Sequence, residues 1–484
     1  MPSLKKNFFY SALLTVANYV FPLITYPYVS RVLGVTGIGI CNFVDNIINW
    51  FIVFSTMGIS VLGVREIAAA RENRTERSRT FSDLLALTGL TTMIAAFVLL
   101  GAIFVVPKLV PYRKLLFVGV VKLIAHSLSL EWFYSGMEDF RYITNRSIAV
   151  KCLYVAAVFL FVRSAADYGV YYVLLTATVL LNMLVNVFYS RRFTHFSFKD
   201  VSLKRFAVPF FLLGLNYVLT SVYSSFNVIY LGLVKGTVEV GYYTTANKIV
   251  LIIIALISAF TTVMLPRMSA VLTDGKREAF REYVDRAINT LFLVGIPGMF
   301  FIQVEAADIV RIISGPGYEG AIVPMITIAP MVLIGGLDQI LIIQTMMPLK
   351  MDRRVVINSA IGAGVGLLLA ILLVRSTGAQ GAAVVWICSE SAVCLGAAFA
   401  VFRKDFITFP AAKVLKAFLL YLPLLAILIL VRYSGIGHFA VRFVVGAGIS
   451  FVYFIVVSIF ILKDPVILEG LRWLSGRKPD PELK

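Results

Sequence analysis

Polar residues recur inside the apolar runs of this chain at intervals of three and four, the spacing that stacks side chains on one face of a helix. Asn42, Asp45, Asn46 and Asn49 stand at i, i+3, i+4 and i+7. Lys122, His126 and Ser129 form a second such face, and Asn182 and Asn186 lie one turn apart. Asn216, Thr220, Tyr223 and Asn227 make a longer stripe, Thr244, Thr245 and Lys248 group together, and Asp338, Gln339, Gln344 and Glu390 complete the set. Amides and hydroxyls suit the hydroxyls of a sugar, and cations suit phosphate. A lone Asn or Ser in such a run is more often a hydrogen bond between packed helices. A charge near mid-span points to function by default, so Asp45, Lys122, Lys248, Asp338 and Glu390 stand out. The three acids are candidates for coupling to an ion (H+ or Na+), and the two lysines for contacts to a diphosphate. Asn46, Asn49, His126, Asn216 and Asn227 are candidate substrate-binding residues beside them. On the run boundaries, Asp45 and Lys248 lie about two turns from a span end, within reach of the interface.

The elements that hold these residues must cross a membrane. Of 484 residues, 60% are hydrophobic and 14% charged, with a mean hydropathy of +0.90. Soluble domains run about 45–50% apolar and about 25% charged. At about 20 residues per helical span, the apolar content makes about fourteen spans and excludes a large soluble catalytic domain. Charge-free runs such as 7–30, 46–64, 84–107, 207–234 and 443–462 are each long enough to cross. Spanning strands would alternate over about ten residues, and these runs do not. The first run is too long for a secretory signal, lacks a small-residue cleavage site, and is expected to stay as the first span. The four cysteines lie in apolar runs without metal spacing, and the three histidines are scattered, so no cofactor or metal is expected.

The net charge is +18. About 32 of the 44 basic residues fall on the N-terminus, the even-numbered connections and the C-terminal tail. By the positive-inside rule this is loop charge that fixes orientation, with both termini cytoplasmic, rather than an affinity for nucleic acid. The loop 267–286 is expected to begin as a surface helix. A shift of 202 residues lays Gly39 on Gly241, Ile47 on Ile249, Ile52 on Ile254, Val61 on Val263 and Arg65 on Arg267. Matches at the same point in the span order suggest two six-span bundles, residues 1–190 and 191–402, followed by two extra spans and a tail over 403–484. Repeats of this kind are common in secondary transporters, whose substrate site lies between the halves. Pro22 and Pro27 in the first run, followed by Gly34, Gly37 and Gly39, are consistent equally with a span that changes shape and with a fixed kink.

Several strings resemble a known family. They are FPLITYPYVSRVLGVTGIG over 21–39, REIAAAREN over 65–73, EWFYSGMEDFRYITNRSIAVK over 131–151, VGYYTTANKI over 240–249, LPRMS over 265–269, IGGLDQIL over 334–341 and TGAQGAAVVWICSE over 377–390. From about residue 5 to about 400 the chain is similar to the Wzx-type polysaccharide-biosynthesis flippases, within the multidrug/oligosaccharidyl-lipid/polysaccharide exporter superfamily. The resemblance implies an all-α polytopic membrane protein of fourteen helices around a central cavity, in the bacterial plasma (inner) membrane. It implies alternating access and an undecaprenyl-diphosphate-linked glycan as substrate, with membrane lipid and the polysaccharide polymerase and chain-length proteins as partners. It implies an ion gradient rather than ATP, and the chain carries no GxxxxGK[ST] phosphate loop. The family's lumen is commonly cationic. Arg31 and Arg146 stand at matching positions inside the quoted strings, and Lys122 and Lys248 join them by spacing. Two other readings compete: a cation-coupled multidrug exporter of the same superfamily, and a membrane polymerase or ligase acting on lipid-linked sugars. The second would need catalytic groups on a sizeable outward loop, where only Asp167, Glu239, Glu305 and Asp308 are expected.

Overall fold

The computed structural model describes residues 4–197, 201–273, 275–403, 409–435 and 437–462, with backbone alone for 4, 5, 8, 19, 253, 255–267, 269, 270 and 273. The basic C-terminal tail falls outside the described residues. Among the described residues every regular element is helical. Eleven helices are long and apolar enough to cross a membrane, or twelve if the bent pair Glu319–Ile328 and Met331–Met346 is one span.

The first of these helices runs from Phe9 to Ala69, 61 residues. At about 1.5 Å per residue it would reach roughly three times the hydrocarbon thickness. It does not, because it breaks at Gly34, whose φ of 65° and ψ of 175° belong to a region open essentially to glycine alone. Dividing it there, and adding the helix Thr237–Thr273, brings the count to fourteen among the described residues. The spans are α1 (4–33), α2 (35–69), α3 (Arg74–Val105), α4 (Pro107–Gly136), α5 (Phe140–Phe161), α6 (Ala165–Ser190), α7 (Leu203–Lys235), α8 (Thr237–Thr273), α9 (Arg277–Ser314), α10 (Glu319–Met346), α11 (Asp352–Thr377), α12 (Ala379–Phe402), α13 (Ala411–Tyr433) and α14 (Phe439–Ile461).

Three sequence expectations change. The second span resumes at Val35, somewhat earlier than the expected boundary about two turns before Asp45, since a single glycine makes the connection. Asp45 therefore lies about 15 Å into α2, nearly three turns from its start. Pro22 and Pro27 sit inside continuous helix, so the break falls at the glycine and not at the prolines. The expected surface helix over 267–286 is instead the end of α8 and the first turns of α9.

The 202-residue repeat acquires a structural signature. Gly236, the mate of Gly34, ends α7 with φ 93° and ψ 174°, the same backbone state. A Cβ on Gly39 would fall 1.8 Å from the Thr237 carbonyl oxygen, and one on Gly241 would fall 2.5 Å from that of Val35. Residues 39 and 241 are mates, as are 35 and 237, so the two contacts exchange under the repeat. Asn42 Nδ2 donates to Oγ1 of Thr244, its own mate, at 2.8 Å. Self-complementary contact of this kind marks a two-fold relation.

The chain divides into two compact units. The first holds residues to Thr244, Ser314–Gly317 and Ser359–Trp386; the second holds Thr245–Ile313, Tyr318–Asn358 and the chain from Ile387. In the first, Leu62, Phe81, Trp132, Phe133 and Phe210 centre a buried core. Gly63 and Gly136 let α2 and α4 approach there: a Cβ on Gly63 would meet Trp132 at 2.5 Å, and one on Gly136 would meet Ile67 at 2.8 Å. Small residues at helix interfaces serve this end in membranes, where close packing replaces the hydrophobic effect. Phe280, Ile288, Leu341 and Met346 centre the core of the second unit. Large side chains such as Phe97 and Leu430 stay exposed, as a lipid-facing surface requires.

Candidate functional site

In the first unit the polar face of α2 meets that of α4. Lys122 Nζ forms an ion pair with Asp45 Oδ1, and Asn49 Nδ2 donates to Asp45 Oδ2 at 3.2 Å. The lysine side chain is 12% exposed and the aspartate 25%, so the pair is partly wet. Asn46 Nδ2 caps back onto the Asn42 carbonyl at 2.8 Å. One turn past Lys122, His126 is exposed and lies within electrostatic reach of Lys122, Glu131 and Asp45.

α4 then breaks. Leu130 takes φ 55°, which frees carbonyls six residues before the span ends. Asn186 of α6 satisfies one of them, donating Nδ2 to the Ser129 carbonyl, while Tyr134 donates to the Asn186 carbonyl. A broken span at membrane depth needs such replacements. The break starts a new helical turn at Glu131, which turns its carboxylate to α5. There Arg146 Nη2 donates to Glu131 Oε1 at 2.9 Å and to Ser147 Oγ at 2.8 Å. The Arg146 side chain is only 4% exposed, and its Nε and Nη1 have no hydrogen-bond partner. Below it the Tyr142 ring, 6.0 Å from the guanidinium carbon, stacks on Tyr189 at 3.9 Å. Lys151, one turn on, donates to Asn18 Oδ1 of α1. Three helices thus bring an acid–base series to one region: Asp45 and Lys122, then Glu131, Arg146 and Lys151.

The remaining candidates lie elsewhere. Arg31 is exposed and gives Nη1 to the Pro27 carbonyl at 3.1 Å; a Cβ on Gly315 would stand 3.0 Å from its Cγ. Asn216 Oδ1 accepts from Ser359 Oγ at 2.7 Å. Buried Asn227 gives Nδ2 to the Ala382 carbonyl at 2.9 Å. Both of these amides join α7 to neighbouring helices. Lys248 is half-buried on α8. Asp338 and Glu390 come together in the second unit, within electrostatic reach of each other, with Asp338 Oδ1 buried and unpartnered.

Sequence reading gave no role to Glu131 or Lys151, although both lie inside the quoted 131–151 string. It also placed Glu305 and Asp308 on an outward connection. Helix α9 runs on to Ser314 and buries both, at 0% and 3% exposure. Their i, i+3 spacing was the available sign of a shared helical face.

This is the architecture of a polytopic α-helical membrane protein. It superposes on the lipid II flippase MurJ in an inward closed conformation with a TM-score of 0.75 and 15% identity, covering 94% of this chain and 99% of that one. An inward-facing multidrug-resistance MATE transporter of the MOP superfamily gives 0.61 and 15%, over 81% and 98%. The polysaccharide biosynthesis protein family model matches residues 4–272, more than half of the sequence, and the MatE model matches residues 213–340. The chain belongs to the polysaccharide biosynthesis protein family, and the resemblance carried by the sequence strings holds. A relative in Escherichia coli K12 named "Putative O-antigen transporter" is 24% identical over 351 residues, 71% of this chain and 84% of its own. One of the same name in Shigella dysenteriae is 24% identical over 274 residues, 55% of this chain and 67% of its own.

Proposed function

We propose that the protein is a flippase for a lipid-linked oligosaccharide, moving an isoprenoid-diphosphate glycan from the inner to the outer leaflet of a bacterial plasma membrane. The observation that carries this reading is Arg146. Two of its guanidinium nitrogens are buried without acceptors, in a membrane protein whose fold is that of MurJ and whose relatives are named for O-antigen transport. A buried donor lacking a partner costs about 1–3 kcal/mol, and a diphosphate oxygen would satisfy it. Asn46, Asn49 and His126, on the faces that carry Asp45 and Lys122, are the candidates for the sugar.

Sheltering the hydrated headgroup in the protein while the prenyl tail stays in lipid removes the cost of moving sugar hydroxyls through hydrocarbon. The Asp45–Lys122 pair gives a route to coupling. An ion (H+ or Na+) taken by Asp45 frees Lys122 for the diphosphate, and an arriving diphosphate favours loss of that ion. Asp338 and Glu390 are the second candidate site for the coupling ion, and Lys248 is a further phosphate contact. Termini on the cytoplasmic side, work without ATP, no catalytic step, and delivery to a polymerase and chain-length proteins complete the proposal.

The test is deletion of the gene followed by a leaflet-specific assay of the accumulated lipid-linked glycan. Glycan trapped on the inner face, restored by the parent chain and not by Arg146→Ala with Lys122→Ala, is the expected outcome. Unchanged export, with gradient-driven exchange of a cationic dye instead, would transfer the assignment to a multidrug exporter, the reading that the MatE match over α7–α10 favours.

A further inference from the structure

Glu305 on α9 is 0% exposed, and neither of its carboxylate oxygens has a hydrogen-bond partner. Its charged neighbours are Asp308 on the same helix, Arg432 in the last turn of α13 and Arg442 in the first turn of α14. Both arginines are engaged elsewhere. Arg442 clamps Asp308 with two bonds, Nε to Oδ2 and Nη2 to Oδ1, each 2.6 Å. Arg432 gives Nη1 to the Val304 carbonyl, one residue before the acid. The pocket is closed by the backbone of α14, where a Cβ on Gly446 would stand 3.0 Å from Glu305 Oε1 and 3.7 Å from Leu428 of α13. Phe301 packs on Phe443 at 5.5 Å, and Arg311, the next charge along α9, lies over the Phe439 ring at 4.6 Å.

A buried carboxylate with no donor from the protein is costly to keep ionised; such a group takes up a proton instead. Arg432, a charged neighbour of Glu305, offers another remedy, and it is spent on the Val304 carbonyl. We propose that Glu305 is a proton-binding site, loaded in the conformation described here, whose release is linked to a move of Arg432 from the Val304 carbonyl onto the Glu305 carboxylate. On release the carboxyl O–H bond breaks and the proton passes to water. The node then changes from two arginines against one ionised aspartate to two against two. Because Arg432 ends α13 and Glu305 belongs to α9, occupancy of the site sets how α13 is held against α9. The site differs from Asp45, Asp338 and Glu390 in helix and in partners, and needs no glycan to be loaded.

The experiment uses the full chain in lipid nanodiscs without substrate, following the infrared carbonyl band of protonated carboxyl groups through pH steps. The parent is expected to show a band near neutral pH that is lost at high pH, absent from Glu305→Gln and retained by Asp338→Asn. An unaltered band in Glu305→Gln would overturn the site. Glu305→Gln is also expected to melt within a few degrees of the parent, because an amide replaces a carboxyl only where the acid is neutral; a large fall counts against the proposal. Arg432→Gln removes the cation that receives the anion, so the band should persist to a pH roughly one unit higher. An unchanged titration in Arg432→Gln would overturn the exchange.

Discussion

Lys122 and Asp45 form an ion pair whose carboxylate keeps a quarter of its surface open, beside an exposed His126 and a Glu131 side chain that is 57% exposed. Asp308 has 4% of its side chain open and is clamped in a planar two-bond geometry by Arg442. The first group reaches water through Asp45, His126 and Glu131 and, with Arg146, is spread over three helices; in the second the aspartate is closed off, while Arg442 keeps 21% of its side chain open. A dry pair is held by geometry, since desolvation cancels most of its Coulomb energy, and apolar residues of similar size can replace it. A charged group open to water contributes little to stability and has no such substitute, because its use is to meet something else. The contrast separates a clamp that holds one aspartate from charge left open to meet a ligand.

The dry pair should break hardest. Arg442→Ala leaves Asp308 buried and alone, at a cost of about 3–5 kcal/mol, read as a large fall in melting temperature of the solubilised protein. Arg442→Met with Asp308→Leu should recover most of it, as judged by the same melt. If the double variant stays as unstable as the single, the node is more than a structural clamp.

The wet pair should answer differently. Lys122→Ala strands an aspartate that still reaches water, so about 1–3 kcal/mol is expected. Adding Asp45→Leu should restore the melt and leave export of the lipid-linked glycan lost. Restored export from that double variant would place Asp45 and Lys122 among the structural charges and erase the contrast.

Arg146 sharpens the comparison further. Lysine keeps the charge and the Glu131 contact within reach but cannot present a planar fork. Arg146→Lys is expected to leave the melt within about 1 kcal/mol of the parent and to weaken glycan binding by roughly tenfold to a hundredfold, the worth of one or two hydrogen bonds to a charged group. Equal losses in melt and binding would mark Arg146 as a structural residue.

How far these groups were legible in the sequence follows from what hydropathy can and cannot see. Fourteen spans could be read because burying a backbone in lipid forces about 20 apolar residues into each helix. Lys122 and Asp45 were visible because charge in such a run is rare. Their pairing was not visible, since it depends on which faces of α2 and α4 meet. The start of α2 was read a few residues late because hydropathy does not show that Gly34 turns the chain within one residue. Glu305, Asp308, Arg432 and Arg442 were lost for the same reason: charges end an apolar window, so all four were read as loop residues. Only Asp308 and Glu305, one turn apart, left a trace of the shared face. The repeat of Gly34 and Gly236 was present at the 202-residue offset, but only the backbone angles show that both do the same work.

Asn216 and Asn227 should give the smallest effects, and they test the line between the two kinds of polarity where charge is absent. Asn216 accepts from Ser359, and Asn227 donates to the Ala382 carbonyl, so both bonds tie α7 to helices of the same unit. Hydrogen bonds between membrane helices average about 0.6 kcal/mol, with a ceiling near 1.7. Asn216→Leu is expected to lie within that range on the melt and to leave glycan affinity untouched. Asn227→Leu should cost more, since it empties a donor site against a buried carbonyl, yet leave binding equally unmoved. A binding loss in Asn216→Leu greater than its loss of stability would extend the working surface beyond Arg146 and Lys122 along α7, and would make the long amide stripe read from the sequence part of the site.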